Sequence, residues 1–136
     1  MLRFHYMPSD FHPLLLIVGE RSDVSQLQEF FYALSINPRD VDIKELAFVA
    51  SATHDITIKL VDDHRTRGLI LHRTPESRLE WEIDREAAGM FAEEIAESLD
   101  SGNKSGSSFL EIGYVGEIRA KVMFGEFDDS YLLPGV

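Results

Sequence analysis

Residues 78–100, RLEWEIDREAAGMFAEEIAESLD, decide the fold because the hydrophobic pattern changes its period within them. Leu79, Trp81 and Ile83 alternate with glutamates, which is typical of a β-strand with one apolar face. After Asp84 the apolar residues recur at helical spacing; they are Ala88, Phe91, Ile95 and Leu99. Asp84 suits the N-cap of this helix. A strand followed directly by an amphipathic helix predicts a protein that mixes both structures.

Upstream of this segment, the sequence predicts one strand and one helix. The apolar run Leu14–Gly19 is typical of a buried strand, and Arg3–Met7 of a short edge strand. Asp23 and Gln26 have the spacing of an N-cap and its capping box. The helix that they begin carries apolar residues at helical spacing and stops at Asn37-Pro38.

Between the two helices, a connector over Pro38–Lys44 precedes strand-like runs joined by short polar links. The four runs are Glu45–Ala50, Asp55–Val61, Gly68–Arg73 and Arg78–Ile83. Links this short permit only antiparallel neighbours, so the prediction is a meander.

Downstream, Ser101–Ser108 has the composition of a flexible loop, and Phe109–Gly113 with Glu117–Phe124 predicts a hairpin. The predicted fold class is α+β, with the order β-α-β-β-β-β-α-β-β in a single domain over 1–136. We expect a single sheet, mixed or antiparallel, in which the meander and the hairpin make most neighbours antiparallel, with two helices on one face. The predicted core comprises Leu27, Phe31, Phe48, Ile58, Leu71, Trp81, Phe91, Ile95, Ile118 and Val122.

Composition and charge restrict the classes of partner and the compartment that the sequence favours. The chain has 136 residues, no cysteine, and a net charge of −11 from 13 basic and 24 acidic residues. This charge disfavours nucleic acid and anionic lipid as partners. The apolar run Leu14–Val18 is too short for a signal peptide, which favours a cytoplasmic protein without a membrane partner.

The motifs of phosphate loops, zinc sites and serine nucleophiles are absent from the sequence, so neither a metal nor an organic cofactor is expected. Asp62-Asp63-His64 is interpreted as a solvated hairpin tip, and the carboxylates of Glu126, Asp128 and Asp129 as a solvated acidic tail. Glu80 and Glu82 are interpreted as an exposed sheet face. The basic residues Arg65, Arg67 and Arg73 are expected to pair with Asp62, Asp63 or Glu76.

The C-terminal stretch resembles the hairpin of small bacterial toxin-immunity proteins. The resemblance lies in Phe109-Leu110-Glu111-Ile112, in the alternating run Glu117–Val122 and in Gly125-Glu126-Phe127. It departs from that pattern at Met123, where a small residue is expected, and at Phe127, where tyrosine is expected. The resemblance implies a protein that binds a toxin and has no catalytic residue.

The resulting hypothesis is a small acidic protein of the immunity or inhibitor type that binds a basic protein partner and has no catalytic activity. Two alternatives stay open: a secretion-chaperone-like binder of effectors, and a small enzyme or ligand-binding domain whose site is assembled from distant residues. A homodimer is also left open. The candidate partner-binding residues are Glu86, Glu93, Glu94, Glu97, Glu126, Asp128 and Asp129.

Overall fold

The computed structural model describes residues 1–9, 12–62, 66–72, 77–100 and 102–125. The elements, in chain order, are β1 (Leu2–Met7), β2 (Leu14–Gly19), α1 (Arg21–Ile36), β3 (Val41–Asp42), a 3₁₀ turn (Ile43–Glu45), β4 (Val49–Ala52), β5 (Asp55–Leu60), β6 (Gly68–His72), β7 (Arg78–Ile83), α2 (Arg85–Asp100), β8 (Gly106–Leu110) and β9 (Arg119–Phe124). The predicted α+β class is confirmed.

The strands form two mixed sheets, so the expectation of a single sheet is wrong. The first sheet has the order β4-β1-β2-β9-β8, and the second has the order β3-β5-β7-β6. Most pairs are antiparallel, but β1–β4, β2–β9 and β5–β7 are parallel. The predicted C-terminal hairpin is the antiparallel β8–β9 pair.

The predicted meander is wrong because β7 lies between β5 and β6. Only its last step, the antiparallel β6–β7 pair, is present as expected. The link over residues 61–67 can cross a strand because seven residues reach about 20 Å, and two strand spacings take about 10 Å.

Several predicted boundaries also need correction. The connector after α1 contains β3 and the 3₁₀ turn, and the strand expected at Glu45–Ala50 is instead β4, which joins the first sheet. β1 is an interior strand and not an edge strand, because β4 pairs with its outer side. β8 begins at Gly106, inside the segment predicted to be a loop.

The two helix starts differ in how well sequence predicts them. Asp84 accepts a hydrogen bond from Ala87 N at 2.7 Å, as predicted. The N-cap of α1, however, is Glu20, and Asp23 completes a capping box from position N3 by accepting from Glu20 N at 2.9 Å. α1 ends at Ile36, before Asn37-Pro38, as predicted.

The aromatic centre of the core joins both helices to the second sheet. The Trp81 ring lies 5.6 Å from the rings of Phe31 in α1 and Phe91 in α2, centroid to centroid. Of the ten predicted core residues, eight are buried, and Phe48 and Leu71 are partly buried. Among the described residues, no helix has both the length and the apolar character needed to cross a membrane.

Candidate functional site

The four candidate glutamates of α2 lie on its solvent side. Glu86, Glu93, Glu94 and Glu97 are all exposed, as their helical spacing predicts. Met90 lies on the same side and is 44% exposed. We call these five residues the acidic face. Positions three, four and seven apart share one side of a helix, so a single apolar side chain is surrounded by carboxylates.

The charge of the acidic face is not compensated locally. Within the described ranges, none of its glutamates forms a salt bridge. Its negative potential therefore extends into solvent. The three candidate carboxylates of the tail, Glu126, Asp128 and Asp129, lie outside the described residues.

Two clefts border the acidic face, and Met90 lines both of them. The smaller, of about 370 Å³, lies between the start of α2 and the tip of the hairpin, where Glu86, Met90 and Tyr114 line it. The larger, of about 630 Å³, lies between α2 and β8, and we call it the edge groove. Its lining residues are Met90, Phe91, Glu94, Glu97, Ser98, Ser107, Ser108, Phe109, Glu111 and Arg119.

The hairpin tip that lines the smaller cleft is held by the partly buried carboxylate of Glu117. Glu117 accepts hydrogen bonds from the backbone nitrogens of Ile112 and Gly113, each at 2.8 Å, and from Tyr114 N at 3.3 Å. Burial raises the pKa of Glu117, and the three backbone donors oppose that rise. The tip is thereby fixed with Val115 93% exposed.

On the hairpin side of the edge groove, the Arg119 side chain contacts two neighbouring side chains of the hairpin. Its Nε donates to Glu111 Oε2 at 2.9 Å, and its guanidinium lies over the Phe109 ring, 3.9 Å from the centroid. This contact combines an ion pair with a cation–π interaction. Since Arg119 neutralises Glu111, the carboxylates of Glu94 and Glu97 leave the edge groove with a net negative charge.

A second cluster of charges lies on the outer face of the second sheet. Glu80 and Glu82 are only 7% exposed each, so the interpretation of an exposed sheet face is wrong. Arg67 binds Glu82 through two hydrogen bonds of 2.7 and 2.6 Å. Glu80 lies 3.0 Å from His72 Nε2, and within 4 Å of the basic groups of Lys59 and Arg78.

Of the three basic residues expected to pair with Asp62, Asp63 or Glu76, only Arg67 is described, and for Arg67 the expectation is wrong. It pairs with Glu82 on β7, and this hydrogen bond raises the pKa of Arg67. Arg65 and Arg73 lie outside the described residues, as do Asp63, His64 and Glu76. The sequence indicates this charge cluster only through Glu80 and Glu82, two glutamates on one face of a strand. Which basic side chains lie beside them depends on the register of the sheet.

His72, Glu80 and Glu82 have the chemistry of a metal-ligand set, with their ligand atoms within 4.8 Å of one another. The surrounding charges argue against that use. Lys59, Arg67 and Arg78 bring three positive charges to two carboxylates. A divalent cation would have to displace the bidentate Arg67 and enter a region that is already positive. The cluster is therefore best explained as an ion-pair network.

The chain matches no protein-family model, no curated protein and no solved structure in the three comparisons. Its function is therefore inferred from the chemistry of the described surface. On that surface, the acidic face and the edge groove share Glu94 and Glu97, whose carboxylates form no salt bridge with another described residue. Sequence reasoning identified the glutamates of the acidic face, but it missed Met90 as an exposed neighbour and β8 as the wall of a groove.

Proposed function

We propose that this protein binds a basic protein partner through the acidic face of α2, in the manner of an immunity protein or inhibitor. The observation that carries the proposal is the group of exposed, uncompensated glutamates around the exposed side chain of Met90. Protein interfaces usually have an apolar centre and a polar, solvent-accessible rim, and Met90 with the surrounding carboxylates has this arrangement.

Electrostatics support a basic partner over a neutral one. The net charge of −11 attracts positive surfaces at long range. Complementary charges raise the association rate more than they lower the dissociation rate. Tyr114 lines the smaller cleft beside the acidic face, and both Tyr114 and its neighbour Val115 expose apolar area at the hairpin tip.

The edge groove favours a second candidate, a secretion-chaperone-like binder of effectors. Such a protein holds extended segments of its partner, and a groove beside a strand suits that shape. Affinity capture from the native host with the whole chain as bait separates the candidates by the captured protein: a toxin supports the first, and an effector protein supports the second.

The test of the acidic face uses association kinetics with the captured partner over a salt series. In Glu86→Gln/Glu93→Gln/Glu97→Gln we expect a lower association rate, a nearly unchanged dissociation rate and a weaker dependence on salt. The matched control, Glu29→Gln/Glu45→Gln/Asp62→Asn, removes three exposed carboxylates elsewhere.

The control should lower the association rate much less, because its carboxylates lie off the acidic face. An association rate that changes with neither salt nor the α2 triple variant contradicts the proposal. Equal effects of the two triple variants contradict it as well, since net charge alone would then explain the result.

A further inference from the structure

We propose that β8, an edge strand of the first sheet within the described residues, binds an extended basic segment of the partner as an added β-strand, lying in the edge groove. This inference rests on the proposed function, the binding of a basic protein partner, and it assigns β8 as the strand that binds that partner. It assigns a main-chain recognition site to the protein, whereas the acidic face supplies only side-chain attraction.

β8 is the edge of the first sheet that is best suited to strand addition. It has five residues in regular register with β9, and none of them is charged. Within the described residues, no backbone hydrogen bond outside the sheet ladder reaches residues 106–110. Edge strands are normally protected by charges, proline, bulges or a covering segment.

The other sheet edges suit an added strand less well. β3 has only two residues. β6 is bridged at Leu69 by Ile118, whose backbone nitrogen donates to Leu69 O at 2.8 Å. β4 pairs with β1 across an irregular register shift. None of these three edge strands contributes a residue to the edge groove.

The side chains of the edge groove specify the charge of the added strand. Ser107, Ser108 and Phe109 form one wall, while Glu94 and Glu97 of α2 stand on the other. Side chains alternate along a strand, so every second residue of an added strand points to the same side as Ser108. Lysine or arginine at those positions would face the two carboxylates of α2.

A buried hydroxyl independently indicates a polar ligand. Ser108 lines the edge groove at 7% exposure, and its Oγ has no hydrogen-bond partner among the described residues. Leaving a buried hydroxyl unpaired is unfavourable. A donor from a bound segment, such as a lysine ammonium, would satisfy it.

Charge selects a foreign segment over a second copy of this chain. Two copies joined edge to edge would bring together two molecules of charge −11 and two sets of groove carboxylates. A basic segment removes this repulsion. Five residues of β8 span about 17 Å, so an added segment of five to seven residues covers the edge.

The probe is the acetylated peptide KTKTKTK, with ETETETE as its charge-reversed counterpart. Two further versions of the basic peptide carry backbone N-methyl groups, one on every lysine and one on every threonine. Alternate residues of a strand direct their N–H groups to opposite edges. We therefore expect one methylated version to bind at least tenfold more weakly and the other to bind almost as well as the parent.

Nuclear magnetic resonance of the labelled protein locates the binding. The parent peptide should slow amide hydrogen exchange at alternate residues within 106–110, those whose N–H groups point away from β9, and Glu94→Gln/Glu97→Gln should weaken its binding at least fivefold. The matched control Glu86→Gln/Glu93→Gln removes the same charge from α2 outside the edge groove and should weaken binding less.

Four outcomes overturn the inference. If both methylated peptides bind as tightly as the parent, strand addition is wrong, although the proposed acidic recognition can still stand. If KTKTKTK does not bind, or ETETETE binds equally, the basic segment is wrong. If residues 106–110 become protected on self-association without peptide, the occupant is a second copy.

Discussion

Two regions of this molecule are rich in glutamate, and they use it in opposite ways. On the second sheet, Glu80 and Glu82 are almost fully buried and lie among Lys59, Arg67 and Arg78. On α2, the glutamates of the acidic face are exposed and have no ion-pair partner among the described residues. Buried carboxylates must be compensated to be tolerated, whereas exposed ones are hydrated and stay available to a partner.

The largest expected effect contrasts the two sides of α2. Phe91 packs against Phe31 and Trp81, so Phe91→Ala should reduce the free energy of unfolding by about 3–5 kcal/mol. Glu94→Gln, on the solvent side, should change it by less than about 0.5 kcal/mol. Urea unfolding followed by tryptophan fluorescence measures both. Similar values for the two variants would mean that the helix is packed in another orientation.

The next effect compares the buried glutamates of the second sheet with the exposed glutamates of α2, using two double variants that each remove two negative charges. Glu80→Gln/Glu82→Gln should lower the free energy of unfolding by about 2–3 kcal/mol, because Arg67 and Lys59 lose their charged acceptors. Glu94→Gln/Glu97→Gln should have almost no effect on it. If the sheet variant proved as stable as wild type, the ion-pair network would not be a stabilising feature.

The same two double variants should also differ in their affinity for the basic partner. The sheet variant should retain wild-type affinity for the basic partner once it is folded, while the α2 variant should lose affinity. A reversal of this pattern would move the binding surface to the outer face of the second sheet.

A smaller effect is expected where the second sheet meets the hairpin. Gly68 has a φ of +72°, and a Cβ there would collide with the carboxylate of Glu117. Gly68→Ala should therefore cost about 1–3 kcal/mol through backbone strain and the displaced carboxylate. Gly102→Ala is the matched control, since its φ of +75° is similar but no atom lies within 4 Å of the added Cβ. If both variants lost the same amount of stability, backbone strain alone would explain the loss, and the collision with Glu117 would contribute nothing.

The smallest effect is a dependence of stability on pH through Glu117. Its pKa is raised by burial, so the folded state holds this proton more tightly than the unfolded state. Its contribution to stability is therefore fully present below the ordinary pKa of glutamate and is lost as pH rises through the raised value. The stability of wild type relative to Glu117→Gln should fall over that window in urea unfolding. A relative stability that rises with pH would contradict the assignment.

Local patterns predicted the elements well where each element is decided by its own residues. Leu14–Gly19 and Arg78–Ile83 are strands with the predicted bounds, and Asp84 caps α2. The exposure of the α2 glutamates followed from helical spacing alone. Asp23 was assigned to the wrong cap position because a carboxylate at N3 and one at the N-cap give similar sequence signals.

Pairing between strands could not be predicted in the same way. Nothing local to β5 and β7 indicates that they are parallel neighbours, because the link through β6 has enough reach for either arrangement. The same limit applied to the candidate sites. Arg67 and Glu82 are fifteen residues apart, and the edge groove joins α2 to two strands that follow it.

By itself, the sequence determined the α+β class, the amphipathic helices, the apolar faces of most strands and the acidic side of α2, because each depends on spacing along one element. Within the described residues, the tertiary structure alone decided that the strands form two sheets, that Glu80 and Glu82 are buried among cations, and that β8 is an edge strand beside carboxylates. Those features depend on which distant segments become neighbours, and that choice minimises the free energy of the whole chain and not of any single element.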